Sequence, residues 1–234
     1  MRVLVVQNFD DTGLGQVGTA LTEAEAEVDL RKPYLGDALP ADGARHDGLI
    51  ILGGGQNALA DETHPYFPVL LGLIRDFAAR DHAVLGICLG GQLVARAFGG
   101  KNQIGGATEF GWQRIALTDA AKIDPVLATL PQQFPIFEWH DDTFSLPDKA
   151  VKLAESGGVS NQVFRIGRAV YGFQFHFEAD CKLVRTWSDI FADFICSHHP
   201  DWAERLDGEM AVNGPEADAA GLAIARNWVA AIRR

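Results

Sequence analysis

Cysteine, positive charge and long apolar runs are all scarce in this 234-residue chain, and each scarcity closes off a class of function. The three cysteines, Cys88, Cys181 and Cys196, are an odd number at wide spacing, with no Cys-x-x-Cys pair. That pattern argues against a disulfide framework and a thiolate zinc site, so each cysteine has to be judged on its surroundings. Against 20 Lys and Arg stand 31 Asp and Glu, a formal net charge of -11. A field of that sign repels phosphate backbones and anionic lipid heads, so neither nucleic acid nor a membrane is an expected partner. No apolar stretch approaches the span of a bilayer, and the run Val3–Val6 is too short for a secretory h-region, which leads us to expect a cytoplasmic protein.

What is present suits an ordinary folded globular chain, with 47% hydrophobic and 22% charged residues. There is no internal repeat, low-complexity segment or convincing linker, so residues 1–234 are expected to form a single domain. "RVLVV", "DGLIILGGG" and "HAVLGI" are apolar runs separated by helical or loop segments, the pattern of parallel strands buried on both faces. "GQVGTALTEAEAEVDL" has helical spacing. From about Trp112 the segments shorten and alternate ("WQRIALT", "PIFEWHDDTFSLP", "VKLAES"), which suits antiparallel strands, and "AVYGFQFHFEAD" predicts a further strand. "CKLVRTWSDIFADFICSHH" predicts a helix that stops before Pro200, and a last helix is expected to start at Pro215 and Glu216 and to end in arginines. The expected fold is α/β: a three-layer sandwich whose mainly parallel central sheet is flanked by helices, with antiparallel additions in the second half and 181–234 as a helical C-terminal extension.

In "LGICLGGQL" a cysteine stands where a predicted strand ends and the helix "GQLVARAF" begins, with Gly99-Gly100 as that helix's C-cap. Taken alone, a cysteine in an apolar run is a small buried hydrophobe. Here glycines on both sides let the backbone turn sharply and lift the side chain out of the sheet, as in a nucleophile elbow. The helix N-terminus adds partial positive charge and unpaired N–H groups, which favour a thiolate and can hold an oxyanion. A nucleophile needs a base with its own orienting group. In "FQFHFE" a period of two places Gln174, His176 and Glu178 on one face and Phe173, Phe175 and Phe177 on the other, so His176 and Glu178 can serve.

With these pieces in order, "DGLIILGGG", "VLGICLGGQLVARAFGG", "EFGW", "WHDDTFSLP", "NQVF" and "GFQFHFE", the sequence resembles the class I (triad) glutamine amidotransferases, in the stand-alone branch similar to the glutaminase domain of GMP synthetase. The resemblance runs from Arg2 to about Glu178 and implies the flavodoxin-like fold of that family. It implies that Cys88 attacks the side-chain amide of glutamine, that His176 moves the proton releasing ammonia, and that Glu178 orients the imidazole, with no cofactor. A γ-glutamyl thioester would then be hydrolysed by water. Leu89 and a glycine of Gly53-Gly54-Gly55 would supply the oxyanion hole, Gln92 would help hold the substrate, and His140 and Asp141 belong to a segment beside the glutamine site in relatives. This chain departs from the family's usual pattern at Gln56, which is expected to loosen the glycine loop, at Phe177, and at Asp141, whose carboxylate would favour a substrate ammonium over a carboxylate.

Other motifs are weaker. "ESGGVSNQ" lacks the Asp of a pyrophosphate loop and reads as a turn, and "TGLGQVG" is a plain glycine-rich loop rather than a dinucleotide site. His140, Asp141, Asp142, His176 and Glu178 match no zinc spacing, so no metal is expected. Cys181 and Cys196 are expected to pack helices, and His198-His199 to mark a solvated helix end. Three functions fit: a glutaminase delivering ammonia to a separate synthase, a self-sufficient hydrolase of γ-glutamyl amides or peptides, and a binding or regulatory module with a silent site.

Overall fold

The structure, a computed structural model, describes residues 1–232. Alternation within the first apolar run sets its architecture. In β1 (Arg2–Val6), Val3 and Val5 face one layer while Leu4 and Val6 face the other, and all four are fully buried. β2 (Glu27–Arg31), β3 (Gly48–Ile51) and β4 (Ala83–Ile87) join β1 as a parallel sheet. On one face α2 (Phe67–Ala79) and α3 (Leu89–Ala97) cover Leu4, Leu49, Ile51 and Val84. On the other, α1 (Gly15–Glu23) and α6 (Trp202–Ile232) cover Val3, Val5, Ile50 and Leu85. Burying both faces is what makes these strands read as continuous apolar runs.

After the two-residue β5 (Asn102–Gln103), the chain forms β6 (Glu109–Leu117), β7 (Gln133–His140) and the short β8 (Thr143–Phe144). It continues through β9 (Ala150–Ser156), β10 (Val163–Ile166) and β11 (Val170–Phe173). β11 returns to pair in parallel with β4, and β10, β9, β6 and β7 extend the sheet antiparallel. The nine-stranded order is β2-β1-β3-β4-β11-β10-β9-β6-β7, with β5 and β8 paired separately. The parallel half therefore has the doubly wound order in which ligands sit beyond the carboxyl ends of the strands. α4 (Cys181–Ile190) and α5 (Ala192–His198) pack with the start of α6 over β6 and β7, around Phe110, Phe137, Trp187 and Trp202. Among the described residues no helix is long and apolar enough to cross a membrane.

Four elements differ from the sequence expectation. The helical run from Gly15 ends at Glu23, a turn at Glu25 with φ 52° breaks it, and Glu27–Arg31 becomes edge strand β2. Its charges are paired there: Asp29 accepts from Arg2 and Arg31 and lies 3.0 Å from His46. β11 stops at Phe173, and Gln174 to Glu178 leave the sheet while keeping their alternating environments, the phenylalanines in the core. The predicted 181–199 helix is broken at Phe191 into α4 and α5. The last helix begins at Trp202, with Pro215 inside it rather than at its start. Trp202 and Leu206, one turn apart, dock on Phe110 and Phe137, and this burial outweighs the backbone hydrogen bond that Pro215 cannot make. The expected terminal arginines, Arg233 and Arg234, lie outside the described residues. Cys181 packs against Gly214 as expected, whereas Cys196 is exposed. His199 is not a bare helix end, because its ring stacks on Phe110 at 4.1 Å.

The helical layer reaches the segment that follows β11. Gln16 donates its backbone N–H to the Glu178 carbonyl at 2.9 Å and its side-chain amide to the Phe177 carbonyl at 3.1 Å. Gly221 of α6 lies so close that a Cβ there would overlap the same Phe177 carbonyl oxygen. Gly221→Ala is therefore expected to lower stability by about 1–3 kcal/mol through overpacking, despite the better helix propensity of alanine. Gly157→Ala, where a Cβ meets nothing within 4 Å, is expected to stay within about 0.5 kcal/mol of wild type in urea denaturation.

Candidate active site

Three neighbouring strands, β3, β4 and β11, deliver the candidate residues at their carboxyl ends. Cys88 sits between β4 and α3 with φ 53° and ψ −112°, a left-handed conformation rare for a side-chain-bearing residue. The turn is held on both sides: Cys88 N–H donates to the Phe173 carbonyl at 2.8 Å, and Gln92 N–H donates to the Cys88 carbonyl at 3.0 Å. A Cβ on Gly90 would overlap the Ile51 carbonyl oxygen, and one on Gly91 the Phe173 carbonyl oxygen, so glycine is required where α3 starts against the sheet. At its other end α3 closes with a Schellman motif, Gly100 N–H to the Ala95 carbonyl at 2.8 Å and Gly99 N–H to the Arg96 carbonyl at 3.1 Å, as the Gly-Gly pair predicts.

His176 and Glu178 follow β11. His176 Nδ1 lies 2.7 Å from Glu178 Oε1, both side chains are almost fully buried, and the imidazole interacts with the Cys88 thiol. Burial opposes a charge on the ring, yet Glu178 and Cys88 outweigh it and hold His176 well above its ordinary value. The Cys88 sulfur also lies 3.8 Å from the Trp139 carbonyl and 3.8 Å from Gln174 Nε2.

Cys88 and His176 open onto a cavity of about 460 Å³, which Gly54, Gly55, Leu89, Gln92, His140 and Asp141 also line. Glu178 stands behind His176. The site residues named from the sequence are thus brought together. Gln56 does not loosen the glycine loop: its side-chain amide donates to the Asn8 carbonyl at 2.7 Å, and Asn8 in turn donates to the Leu52 carbonyl at 2.7 Å. Gln92 is engaged within the protein, its Nε2 3.3 Å from Gln174 Oε1 and 3.4 Å from the Asp142 carbonyl. Asp141 is exposed and accepts from the Thr108 hydroxyl at 3.0 Å.

Two features escaped the sequence reading. One is an aromatic wall, Phe9, Trp139, Trp187, Phe191 and Phe194, which α4 and α5 bring over the cavity from the helical extension. The other is a buried cluster of Glu109 (β6), Glu138 and His140 (β7). His140 Nε2 lies 3.2 Å from Glu109 Oε2 and 3.3 Å from Glu138 Oε2. Although burial opposes its charge, these two carboxylates push His140 up to about 10. Burial pushes Glu138 up to about 7, against the opposing pull of His140. "FEWH" carried the same i, i+2 signal as "HFE", but nothing in the sequence pointed from there to Glu109. The three ligand atoms lie within 4.8 Å of one another, a set that could hold a cation.

The raised Glu138 value has a consequence for stability. The folded carboxyl binds its proton more tightly than the unfolded one, so its contribution is fully present below the ordinary value of 4.5 and is lost as pH rises toward 7. Glu138→Gln does not titrate. Its melting temperature relative to wild type is expected to rise between pH 5 and pH 8, measured by thermal denaturation at both.

The comparisons with known proteins agree with this geometry. The family model "Glutamine amidotransferase class-I" matches residues 9–194. A glutamine amidotransferase-like protein of Salmonella typhimurium is 36% identical over 160 residues, covering 67% of each chain. A glutamine-hydrolysing GMP synthase subunit from Methanospirillum hungatei is 29% identical, covering 75% of this chain and 86% of its own. Among solved structures, a glutamine amidotransferase from Thermotoga maritima superposes with a TM-score of 0.88 at 23% identity, over 100% of this chain and 99% of its own. One from Methylobacillus flagellatus superposes with a TM-score of 0.82 at 28% identity, covering 98% and 94%. The family match spans most of the chain and includes the Cys88 turn and the segment after β11, so this protein belongs to the class I glutamine amidotransferases.

Proposed function

We propose that the protein is a cytoplasmic glutaminase-type amidotransferase in which Cys88, His176 and Glu178 act as a catalytic triad. The observation that carries this reading is the pairing of His176 with Glu178 at 2.7 Å beside a cysteine on a strained strand-to-helix turn. The Cys88 sulfur attacks the side-chain amide carbon of glutamine, and the negative charge that develops on the oxygen falls to the Leu89 N–H and an N–H of the Gly53–Gly55 loop. His176, charged and held by Glu178, gives its proton to the leaving nitrogen, so the C–N bond breaks as ammonia and a thioester forms. The now neutral ring takes a proton from water as that water attacks the thioester, and glutamate leaves with the thiolate restored. Neither step requires a cofactor.

The relatives among the GMP synthases are each named as one subunit of that enzyme, which implies a synthesising counterpart. By extension, ammonia from this chain passes to a separate synthase in trans. A second reading, hydrolysis of a larger γ-glutamyl amide or peptide, is favoured by the aromatic wall and by the absence of Lys and Arg from the cavity lining, where Asp141 and Asp142 are the charged carboxylates. Under that reading the amine portion of the substrate occupies the wall, and water is the only acceptor. With all three triad positions filled, a silent binding module is the least supported of the three.

The test is intact-mass measurement after incubation with diazo-oxo-norleucine, together with amine release from glutamine and from γ-glutamyl peptides. One adduct on wild type and none on Cys88→Ala is expected, with turnover falling by about 10³-fold or more in Cys88→Ala. Faster release from peptides than from glutamine selects the second reading. An adduct that persists in Cys88→Ala would remove the triad assignment.

A further inference from the structure

Two histidines border Cys88, and each has carboxylate support, but their hydrogen bonding differs. His176 commits only Nδ1, to Glu178, and leaves Nε2 for the sulfur and the proton it has to move. His140 has no nitrogen to spare. Its Nδ1 lies 2.9 Å from the Asp142 carbonyl oxygen, which can only accept, so that nitrogen carries a hydrogen. Its Nε2 faces Glu109 Oε2 and Glu138 Oε2. A bare Nε2 lone pair aimed at two carboxylates is repulsive, whereas an Nε2–H satisfies both. Glu109 is already anchored as an acceptor, from the Ser156 hydroxyl at 2.6 Å and from Gln162 Nε2 at 2.6 Å. Glu138 is wholly buried, and neither of its oxygens has a well-aligned donor, so the imidazolium is its nearest compensation.

We propose that His140 is a positioning residue for Cys88: a permanently protonated ring, clamped by Glu109 and Glu138, that stands beside the sulfur and favours its thiolate form without exchanging a proton. This rests on the reading of Cys88 as the nucleophile and assigns its electrostatic support. The charged groups facing the pair come from every packed element. Glu109 arrives from β6 and Glu138 from β7; His176, backed by Glu178, arrives from the segment after β11; and the α3 N-terminus lies under the sulfur. Two cations against the thiolate divide the work, with His176 moving the proton and His140 holding the field constant while it does so. The arrangement also explains why His140 lines the cavity but offers a substrate no hydrogen bond.

Alkylation of Cys88 by iodoacetamide across pH 5–9 tests this, read on the Cys88 peptide by mass spectrometry because Cys196 is exposed and reacts as well. The reagent needs no glutamine binding, so a protein that never hydrolyses glutamine still answers. His140→Gln is expected to move the alkylation midpoint up by about one pH unit, roughly tenfold slower reaction on the acid limb. Glu138→Gln, which leaves Nε2 paired with Glu109, is expected to shift it by less than half as much. A folded His140→Gln with the wild-type midpoint overturns the proposal, because a purely structural role lowers stability without moving a pH profile. Should that variant not fold, ¹⁵N-histidine spectra of wild type at pH 8 decide. Two imidazolium rings that respond to alkylation of Cys88 support the proposal, and a single one overturns it. A stoichiometric divalent ion that co-purifies with wild type and is lost in Glu138→Gln also overturns it, since the ion rather than a proton would then sit between the carboxylates.

Discussion

The site depends on one strained residue. Cys88 occupies φ 53°, ψ −112°, a conformation that costs about 1–3 kcal/mol for a residue with a side chain and persists only where its surroundings over-determine it. Here they do so from three directions. The Cys88 N–H is held by Phe173 of β11, its carbonyl starts α3, and the glycines after it let the helix approach the sheet more closely than any larger residue could. The same contacts bring β3, β4 and β11 together, and with them the glycine loop, the sulfur and His176.

Electrostatics then works against burial rather than with it. The chain carries a net charge of -11, yet the charges that matter are a few carboxylates placed out of water behind two imidazoles. Burial alone would neutralise both rings; paired carboxylates reverse that, Glu178 behind His176 and Glu109 with Glu138 around His140. Glu138 bears the cost, since it has the least compensation of any acid in the site. This is stability given up for function, at a place where an apolar residue would pack without penalty.

The helices after β11 are part of the site rather than an appendage. α1 and α6 grip the Phe177 and Glu178 carbonyls from behind, while α4 and α5 overhang the cavity with Trp187, Phe191 and Phe194. Trp187 meets the His176 ring edge-on at 5.2 Å, so the helical layer also limits how that imidazole can turn. The position of the triad segment is therefore set by packing at both of its faces.

Much of this was legible in the sequence, because local rules govern it. Buried parallel strands announce themselves as apolar runs, a cysteine among glycines at a strand-to-helix boundary announces an elbow, and i, i+2 spacing puts His176 and Glu178 on one side. The doubly wound order, the antiparallel additions and the family follow from those patterns. What the sequence left open was decided by contacts between distant residues. The strand at Glu27–Arg31 was hidden inside a helical pattern until edge pairing with β1 selected it, and the helix from Trp202 runs through Pro215 because Trp202 and Leu206 find a hydrophobic seat on β6 and β7. Glu109 and His140 are 31 positions apart and meet only because β6 and β7 pair in the register that sets them opposite each other. Periodicity and motif spacing fix what each segment can become; which charges and rings surround the sulfur is a property of the packed sheet, where sequence distance no longer measures separation.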